Sequence, residues 1–257
     1  MSYSISAIMH KSIIGTNKQF ILVKFYFICY NETYIMNFRG ATMDFIAIDF
    51  ETATSQRTSV CSLGICEVKN NKVIKRDSML IRPEPLEFNP YNIKIHGITP
   101  DMVADMPNFA MLWNYIKPMI DGKLVIAHNA SFDINVLCKT LDSFGIEYPT
   151  FDYLCTVKLS QKAYPELISH KLNALAEEFG ICFSHHDACD DAYVCALVLL
   201  HIMKDYKLQN LDDIKRVFDT EPGNIFPGCK CTEKEKKKKV KNVKGMFKNS
   251  LNYKKDL

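Results

Sequence analysis

Two acidic residues, Asp49 and Glu51, stand two positions apart in the mainly apolar stretch IAIDFETA. Because the side chains of a β-strand alternate between its faces, a strand here would project both carboxylates from the same side. Neighbouring carboxylates repel each other and lose solvation, so such a pair commonly exists to hold a hard cation. The pair therefore indicates a metal site.

Two later stretches carry the other residues that such a site needs. In LVIAHNASFDINVL an apolar run gives way to a helical pattern, and Asp133 falls in the first turns of that helix. In HHDACDDAYVCALVLLHIM we expect Asp187 to cap a helix, with His186 just before it and Asp191 one turn inside it. Their spacing permits the three stretches to meet but does not require it.

Each of these residues also has an ordinary structural explanation. An acid near a helix start, such as Asp133, usually complements the helix dipole, and an Asp-x-Glu pair on a strand is more often solvated. His185 competes with His186, and Asp190 with Asp191, for the same predicted positions. Singly, the ordinary explanations are stronger; taken jointly, the residues favour a functional site.

The segments DFET, HNASFD and HHDACDDA, in this order, resemble the three exonuclease motifs of the DnaQ-like DEDDh superfamily. That family holds the proofreading epsilon subunit of bacterial DNA polymerase III and stand-alone relatives. The similarity runs from Met43 to Tyr206 and includes IHGIT and HKLNALAEEFGI. It is closest to the epsilon-like single-domain proteins.

The resemblance implies a catalytic set of five residues: Asp49, Glu51, Asp133, His186 and Asp191. Asp49 would bridge two metal ions, Glu51 and Asp191 would hold the ion beside the attacking water, and Asp133 would hold the other ion. His186, with an ordinary pKa near 6.5, would take a proton from that water. Oxygen ligands favour Mg²⁺ or Mn²⁺, and two such ions can serve both water and leaving group.

The implied activity is 3′-to-5′ hydrolysis of phosphodiester bonds from the 3′ end of DNA, releasing nucleoside 5′-monophosphates, in proofreading, replication or repair. The expected partners are a nucleic acid with a free 3′ end and, as a further candidate, a DNA polymerase. One alternative is a 3′-to-5′ exoribonuclease, because DNA and RNA differ by a 2′-hydroxyl contact that no motif reveals. The other alternative is a nucleic-acid-binding or polymerase-associated module without catalysis.

Four further residues are weaker site predictions. By the same resemblance, Thr52, Ala53, His96 and Phe132 would line the pocket of the terminal nucleotide, where an aromatic ring can stack on a base. For His96 a hydrogen bond that stabilises its loop is an equal alternative. For Phe132 packing in the core is favoured over stacking.

The elements around these motifs predict an α/β fold, a ribonuclease-H-like mixed sheet in which three antiparallel strands precede βα units, flanked by helices. Strands are expected near residues 44–50, 59–69, 72–82, 123–127 and 150–155, with a hairpin turn at Asn70–Asn71. Besides the Asp133 helix, helices are expected near 108–121, 156–163, 171–179, 187–205 and 210–218. Pro83, Pro85 and Pro90 predict a loop that leads to His96–Gly97, and Pro222–Gly223 predicts the end of the folded domain.

Charge divides the 257 residues into three parts. Residues 43–220 are the expected exonuclease domain. The charge is counted over the slightly longer range 43–229, which carries 17 basic and 25 acidic side chains and therefore a net charge of −8. Residues 221–257 form a basic tail that we expect to be disordered; it contains KEKKKKVKNVK and could bind nucleic acid by counterion release. Residues 1–42 are an N-terminal extension. We favour the explanation that they are translated from upstream of the native start, and the alternative is that they add a strand.

Cysteine usage and hydropathy favour a cytoplasmic protein without a membrane span. Several of the ten cysteines lie in strand-like or helix-like apolar runs, which indicates buried, reduced thiols. The apolar segment FILVKFYFICY is interrupted by Lys24 and is shorter than the roughly 20 residues that cross a bilayer.

Overall fold

The structure is a computed structural model, and it describes residues 42–181 and 186–230. The predicted N-terminal extension, except for its last residue, and most of the predicted basic tail lie outside the described residues. His185, which competes with His186 in the sequence, also lies outside them. No helix in the described ranges is long and apolar enough to cross a membrane.

A mixed six-stranded sheet forms the centre of the fold. Its strands are β1 (Phe45–Thr52), β2 (Val60–Lys69), β3 (Lys72–Leu80), β4 (Leu124–Ala127), β5 (Phe151–Cys155) and β6 (Gly223–Ile225), in the order β3-β2-β1-β4-β5-β6. The first three strands pair antiparallel, β1 pairs parallel with β4, β4 pairs parallel with β5, and β6 pairs antiparallel with β5. The predicted ribonuclease-H-like mixed sheet is confirmed.

Eight helices occur within the described residues. They are α1 (Pro90–His96), α2 (Pro100–Val103), α3 (Phe109–Ile120), α4 (Ser131–Ser143), α5 (Thr156–Ala163), α6 (Leu172–Glu178), α7 (Ala188–Asp205) and α8 (Leu211–Phe218). Buried residues of α3 and α4 pack with Ile46, Ile48 and Phe50 of β1. Buried residues of α5 to α8 pack with Phe45 and Ala47, on the opposite face of the same strand. Asp49 and Glu51 follow in the Phe45–Ala47 series, so they face the α7 side.

One glycine sets the distance between the sheet and α7. Gly64 of β2 lies opposite Asp49 of β1 in the antiparallel register. A Cβ atom at Gly64 would stand 1.8 Å from the carbonyl oxygen of Ala188, the first residue of α7. The backbone of α7 therefore approaches β2 at a position where only glycine fits, immediately beside the first catalytic candidate.

The structure corrects the sequence prediction at two places. Residues 90–96, expected to belong to a loop, form α1, with Asn89 accepting a hydrogen bond from the Tyr91 backbone N–H and Gly97 ending the helix at φ 73°. Pro90 is its first residue, where a proline is well tolerated, so the proline that suggested a loop begins a helix. The sheet also continues past residue 220, because β6 pairs with β5 and buries Ile225.

Replacement of Gly64 tests the close approach of α7. We expect Gly64→Ala to lower the free energy of unfolding by about 1–3 kcal/mol or more, because the clash is with backbone atoms that no rotamer change can relieve. The nuclease activity that the resemblance implies should also fall, since α7 carries Asp191. Thermal unfolding and activity are measured beside Ser78→Ala, an exposed position on β3 opposite Gly64. A wild-type melting temperature and activity in Gly64→Ala would contradict the packing argument.

Candidate active site

The carboxylates of β1 open the site. Asp49 and Glu51 are each partly buried, while Ile48 and Phe50 between and before them are buried in the opposite face of the strand. The antiparallel register with β2 shifts between Glu51 and Thr52, so a bulge ends the regular ladder directly after the second acid. The predicted same-side projection of the two carboxylates is what the strand geometry gives.

Asp133 reaches this place from a different element. Strands β1 and β4 run parallel, so the start of α4, which follows β4, lies at the carboxyl end of β1. The Asp133 side chain is 1% exposed, and its Oδ1 accepts a hydrogen bond from the backbone N–H of Phe50 at 3.1 Å. The residue between the two β1 acids thus fixes the third acid.

The start of α7 supplies the histidine and the fourth acid. Asp187 caps the helix as predicted, accepting hydrogen bonds from the backbone N–H groups of Cys189 and Asp190. The backbone N–H of His186 donates to Oδ2 of Asp191 at 3.1 Å, and His186 adopts a left-handed φ of 71°. Glu51, His186 and Asp191 each place one potential ligand atom within 4.8 Å of the others. The structure therefore brings together the residues predicted from three separate stretches; their catalytic roles stay a prediction.

Asp190, the competitor of Asp191 in the sequence, points elsewhere. It forms a short ion pair with Arg76 of β3, and the Arg76 guanidinium lies 3.7 Å from the ring centroid of Tyr193. Asp190 therefore links α7 to the edge strand β3 instead of joining the acid cluster. Sequence spacing could not reveal its partner, which lies 114 residues earlier.

Burial and mutual repulsion shape the electrostatics of the four acids. Burial is the largest cause that raises the pKa of Asp49 well above its usual value, followed by repulsion from Asp133, Asp191 and Glu51. The pKa of Glu51 rises to about 8 for the same reasons, burial first and Asp191 next. Burial also raises the pKa of Asp133, against the lowering effects of the Phe50 N–H and of Arg57.

These carboxylates fit divalent metal ions. Placing several carboxylates together away from water costs free energy unless a cation neutralises their charge. Asp49, Glu51, Asp133 and Asp191 supply oxygen donors, as Mg²⁺ and Mn²⁺ prefer. The donor set therefore suits the divalent cations expected from the sequence.

The residues that were predicted more weakly lie beside this cluster, and most of them hold the local backbone in place by hydrogen bonds. Thr52 is buried, and its carbonyl accepts hydrogen bonds from the Asn92 side chain at 2.8 Å and from His96 Nε2 at 3.3 Å. The buried Ala53 donates to the Ser59 carbonyl and accepts from the Asn89 N–H. Because the Ile98 N–H donates to His96 Nδ1, the His96 ring is held as the neutral Nε2–H form.

The pKa of His96 is lowered, by burial first and also by the nearby His186, against the raising effect of its bond to Thr52. The loop-stabilising hydrogen bond weighed for His96 is present. Phe132 packs partly buried against the core cluster of α3 and α4, and it also carries Arg57 over its ring.

A cleft of about 600 Å³ opens at Asp49 and Asp191. Its far wall comes from α5, the start of α6 and the loop between them, and includes Gln161, Ile168, Ser169, His170, Lys171 and Asn173. We did not predict this wall from the sequence. The polar run Ser169–His170–Lys171 before an apolar helix was the available signal.

Comparisons with known proteins agree with this geometry. The family model described as Exonuclease, RNase_T, matches residues 46–199. The chain is 31% identical over 182 residues to a protein named DNA polymerase III PolC-type from Halalkalibacterium halodurans, covering 69% of this chain and 12% of that one. It is 29% identical over 177 residues to a protein named 3′-5′ exonuclease DinG from Staphylococcus saprophyticus, covering 68% and 20%. The chain therefore spans a fifth or less of the length of these curated relatives.

Solved structures give the same fold. Exonuclease X, solved in complex with 5′ overhanging duplex DNA, superposes with a TM-score of 0.56 at 25% identity, covering 68% of this chain and 99% of that one. The nuclease domain of 3′hExo, a DEDDh family member bound to rAMP, superposes with a TM-score of 0.56 at 18% identity, covering 64% and 93%, and this likeness concerns the fold alone.

The raised pKa values predict how the metal-free protein responds to pH. Folded Glu51 keeps its proton up to a pKa of about 8, against an ordinary 4.5 in the unfolded chain. The folded state thus binds more protons between these values, so the contribution of Glu51 to stability is fully present below pH 4.5 and is lost as the pH rises through about 8. In chelator, the melting temperature should fall from pH 5 to pH 8, and Mg²⁺ should restore it at pH 8.

Asp49→Asn is the matched variant, because it removes one titratable carboxyl group and keeps the shape. It should melt higher than the wild type at pH 8 in chelator and show a flatter pH dependence. Identical melting curves in chelator and in Mg²⁺ at pH 8, for the wild type, would contradict the repulsion inferred among the four acids.

Proposed function

Because the chain belongs to the DnaQ-like DEDDh family of exonucleases, we propose that it is a metal-dependent 3′-to-5′ exonuclease that acts on DNA and releases nucleoside 5′-monophosphates. The observation that carries the proposal is the convergence of Asp49, Glu51, Asp133, Asp191 and His186 in one cluster, of which Asp49 and Asp191 line a cleft. A module without catalysis would have no need to hold four mutually repelling acids together.

Each residue has a distinct proposed role. Asp49, Glu51, Asp133 and Asp191 would hold two Mg²⁺ or Mn²⁺ ions, which when bound supply a nucleophilic water and neutralise the leaving oxygen. Residue by residue, the family pattern assigns Asp49 to both ions, Glu51 and Asp191 to the ion at the water, and Asp133 to the other. His186 accepts the proton of the attacking water, since its ring reaches the Glu51–Asp191 pair.

The cleft supports a nucleic acid substrate with a free 3′ end. Lys171 offers a cation, and Gln161 and Asn173 offer amide groups, on the wall that faces Asp49 and Asp191. Relatives named DinG exonuclease and PolC-type polymerase support DNA as the substrate, and the latter supports a DNA polymerase as partner.

The cysteines of the described residues are free, which supports the expected cytoplasmic location.

Activity on matched oligonucleotides tests the proposal. With a 5′ label and Mg²⁺ or Mn²⁺, single-stranded DNA should shorten one nucleotide at a time, faster than RNA of the same sequence. Asp191→Ala should lower the rate by orders of magnitude while the melting temperature in chelator stays equal or rises, because one repelling charge is gone. Full activity in excess chelator would contradict the metal roles. Faster shortening of RNA than of DNA would contradict DNA as the substrate and favour the exoribonuclease alternative.

Replacement of His186 separates the proton acceptor from the metal ligands. His186→Ala should lower turnover by about 10²–10⁴-fold, and higher pH or added imidazole should restore part of it, while the Mg²⁺ concentration for half-maximal rate changes little. His170→Ala is the control, because this histidine lines the same cleft and bonds to Ser160. An equal loss in both variants would contradict the proton-transfer role of His186.

A further inference from the structure

Arg57 lies in the turn between β1 and β2, directly after the first pair of acids. Two hydrogen bonds within the turn stabilise it: the Thr54 N–H donates to Ser59 Oγ at 3.0 Å, and Ser59 Oγ donates to the Gln56 carbonyl at 2.7 Å. On the outside, Thr140 of α4 donates its hydroxyl to the Arg57 carbonyl at 3.4 Å. The backbone of Arg57 is therefore fixed between the sheet and the helix that carries Asp133.

The Arg57 side chain is placed by an aromatic ring. Its guanidinium carbon lies 4.1 Å from the ring centroid of Phe132, the neighbour of Asp133 in the chain. Phe132 itself packs against the buried cluster of α3 and α4, so the ring is a firm support. A guanidinium that stacks on a ring by its face keeps the N–H groups at its edge available for a planar acceptor such as a phosphate.

Arg57 differs from the other arginines of the described ranges. Arg76, Arg82 and Arg216 each pair with a carboxylate. No carboxylate in those ranges lies within 4.0 Å of the Arg57 guanidinium, although its charge acts on Asp133 and helps to lower the pKa of that acid. Arg57 is thus a cation held in place by Phe132, near Asp133, the proposed ligand of the metal ion at the leaving group. The N–H groups at the edge of its guanidinium are suited to bind a negatively charged ligand from outside.

We propose that Arg57, supported by Phe132, binds a backbone phosphate of the substrate strand beside the scissile bond. The inference rests on the proposed nuclease function and adds a substrate-binding residue to it. A phosphodiester that approaches four carboxylates needs protein cations as well as metal ions, and Arg57 brings one to the Asp133 side of the site. Phe132 would then contribute by holding a cation, rather than by stacking on a base.

Oligonucleotide binding tests the proposal. In a His186→Ala background, which keeps the proposed metal ligands, the Kd for a fluorescent single-stranded DNA is measured in Mg²⁺ over a range of KCl concentrations. Arg57→Met should raise the Kd about tenfold and lower the slope of log Kd against log salt by about 0.7, the value for one phosphate contact on a single strand. Arg57→Lys should keep most of the slope, and Phe132→Leu should weaken binding a few-fold.

Arg216→Met is the control, since it also removes one arginine charge but from an exposed ion pair on α8; its slope should equal that of the parent. If Arg57 acts only by keeping Asp133 ionised, Arg57→Met will shift the Mg²⁺ requirement and leave the salt slope unchanged, which overturns the proposal. A protein without any nuclease activity would instead overturn the proposed function, and this inference with it. Cleavage by the wild type together with an unchanged Arg57→Met slope would overturn this inference alone.

Discussion

The structure depends on holding four carboxylates together against their own repulsion. Burial and the neighbouring acids both raise the pKa values of Asp49 and Glu51, so the arrangement opposes folding wherever these groups ionise. The fold offsets part of this with backbone N–H groups, from Phe50 to Asp133 and from His186 to Asp191. Phe50 lies between the two acids of β1 and His186 is itself a site residue, so the same short stretches that supply the site also position its acids.

Three elements converge on this point because of the sheet order. With β1 in the middle, antiparallel to β2 and parallel to β4, the start of α4 comes to the carboxyl end of β1. The start of α7 comes to the same strand from the other face, and Gly64 permits that approach. Asp190 and Arg76 then tie the first turn of α7 to β3. The position of Asp191 thus depends on a glycine and an ion pair that perform no chemistry.

Sequence periodicity predicted most of this fold because its elements are strongly patterned. Alternation placed Asp49 and Glu51 on one side of β1, the Asn70–Asn71 turn joined β2 to β3, and the helical pattern placed Asp191 inside α7, one turn after its cap. It failed where local signals conflict with tertiary contacts: β6 follows Pro222 and exists because it pairs with β5, and Pro90 begins a helix rather than breaking one. Contacts between distant segments, such as Arg76 with Asp190 or Phe132 with Arg57, leave no periodic trace. The cleft wall at residues 161–173 was missed for the same reason.

Charge also orders the events at such a site. The segment 43–229 is acidic overall, and the acids gathered at the site repel a phosphate wherever they are ionised. Cations must therefore come first. Divalent ions at the acids would make the site attractive to a phosphate, and Lys171 on the cleft wall and Arg57 near Asp133 would add positive charge. On the proposed function, metal binding would raise the affinity for the strand as well as support the chemical step, so both would depend on the same ions.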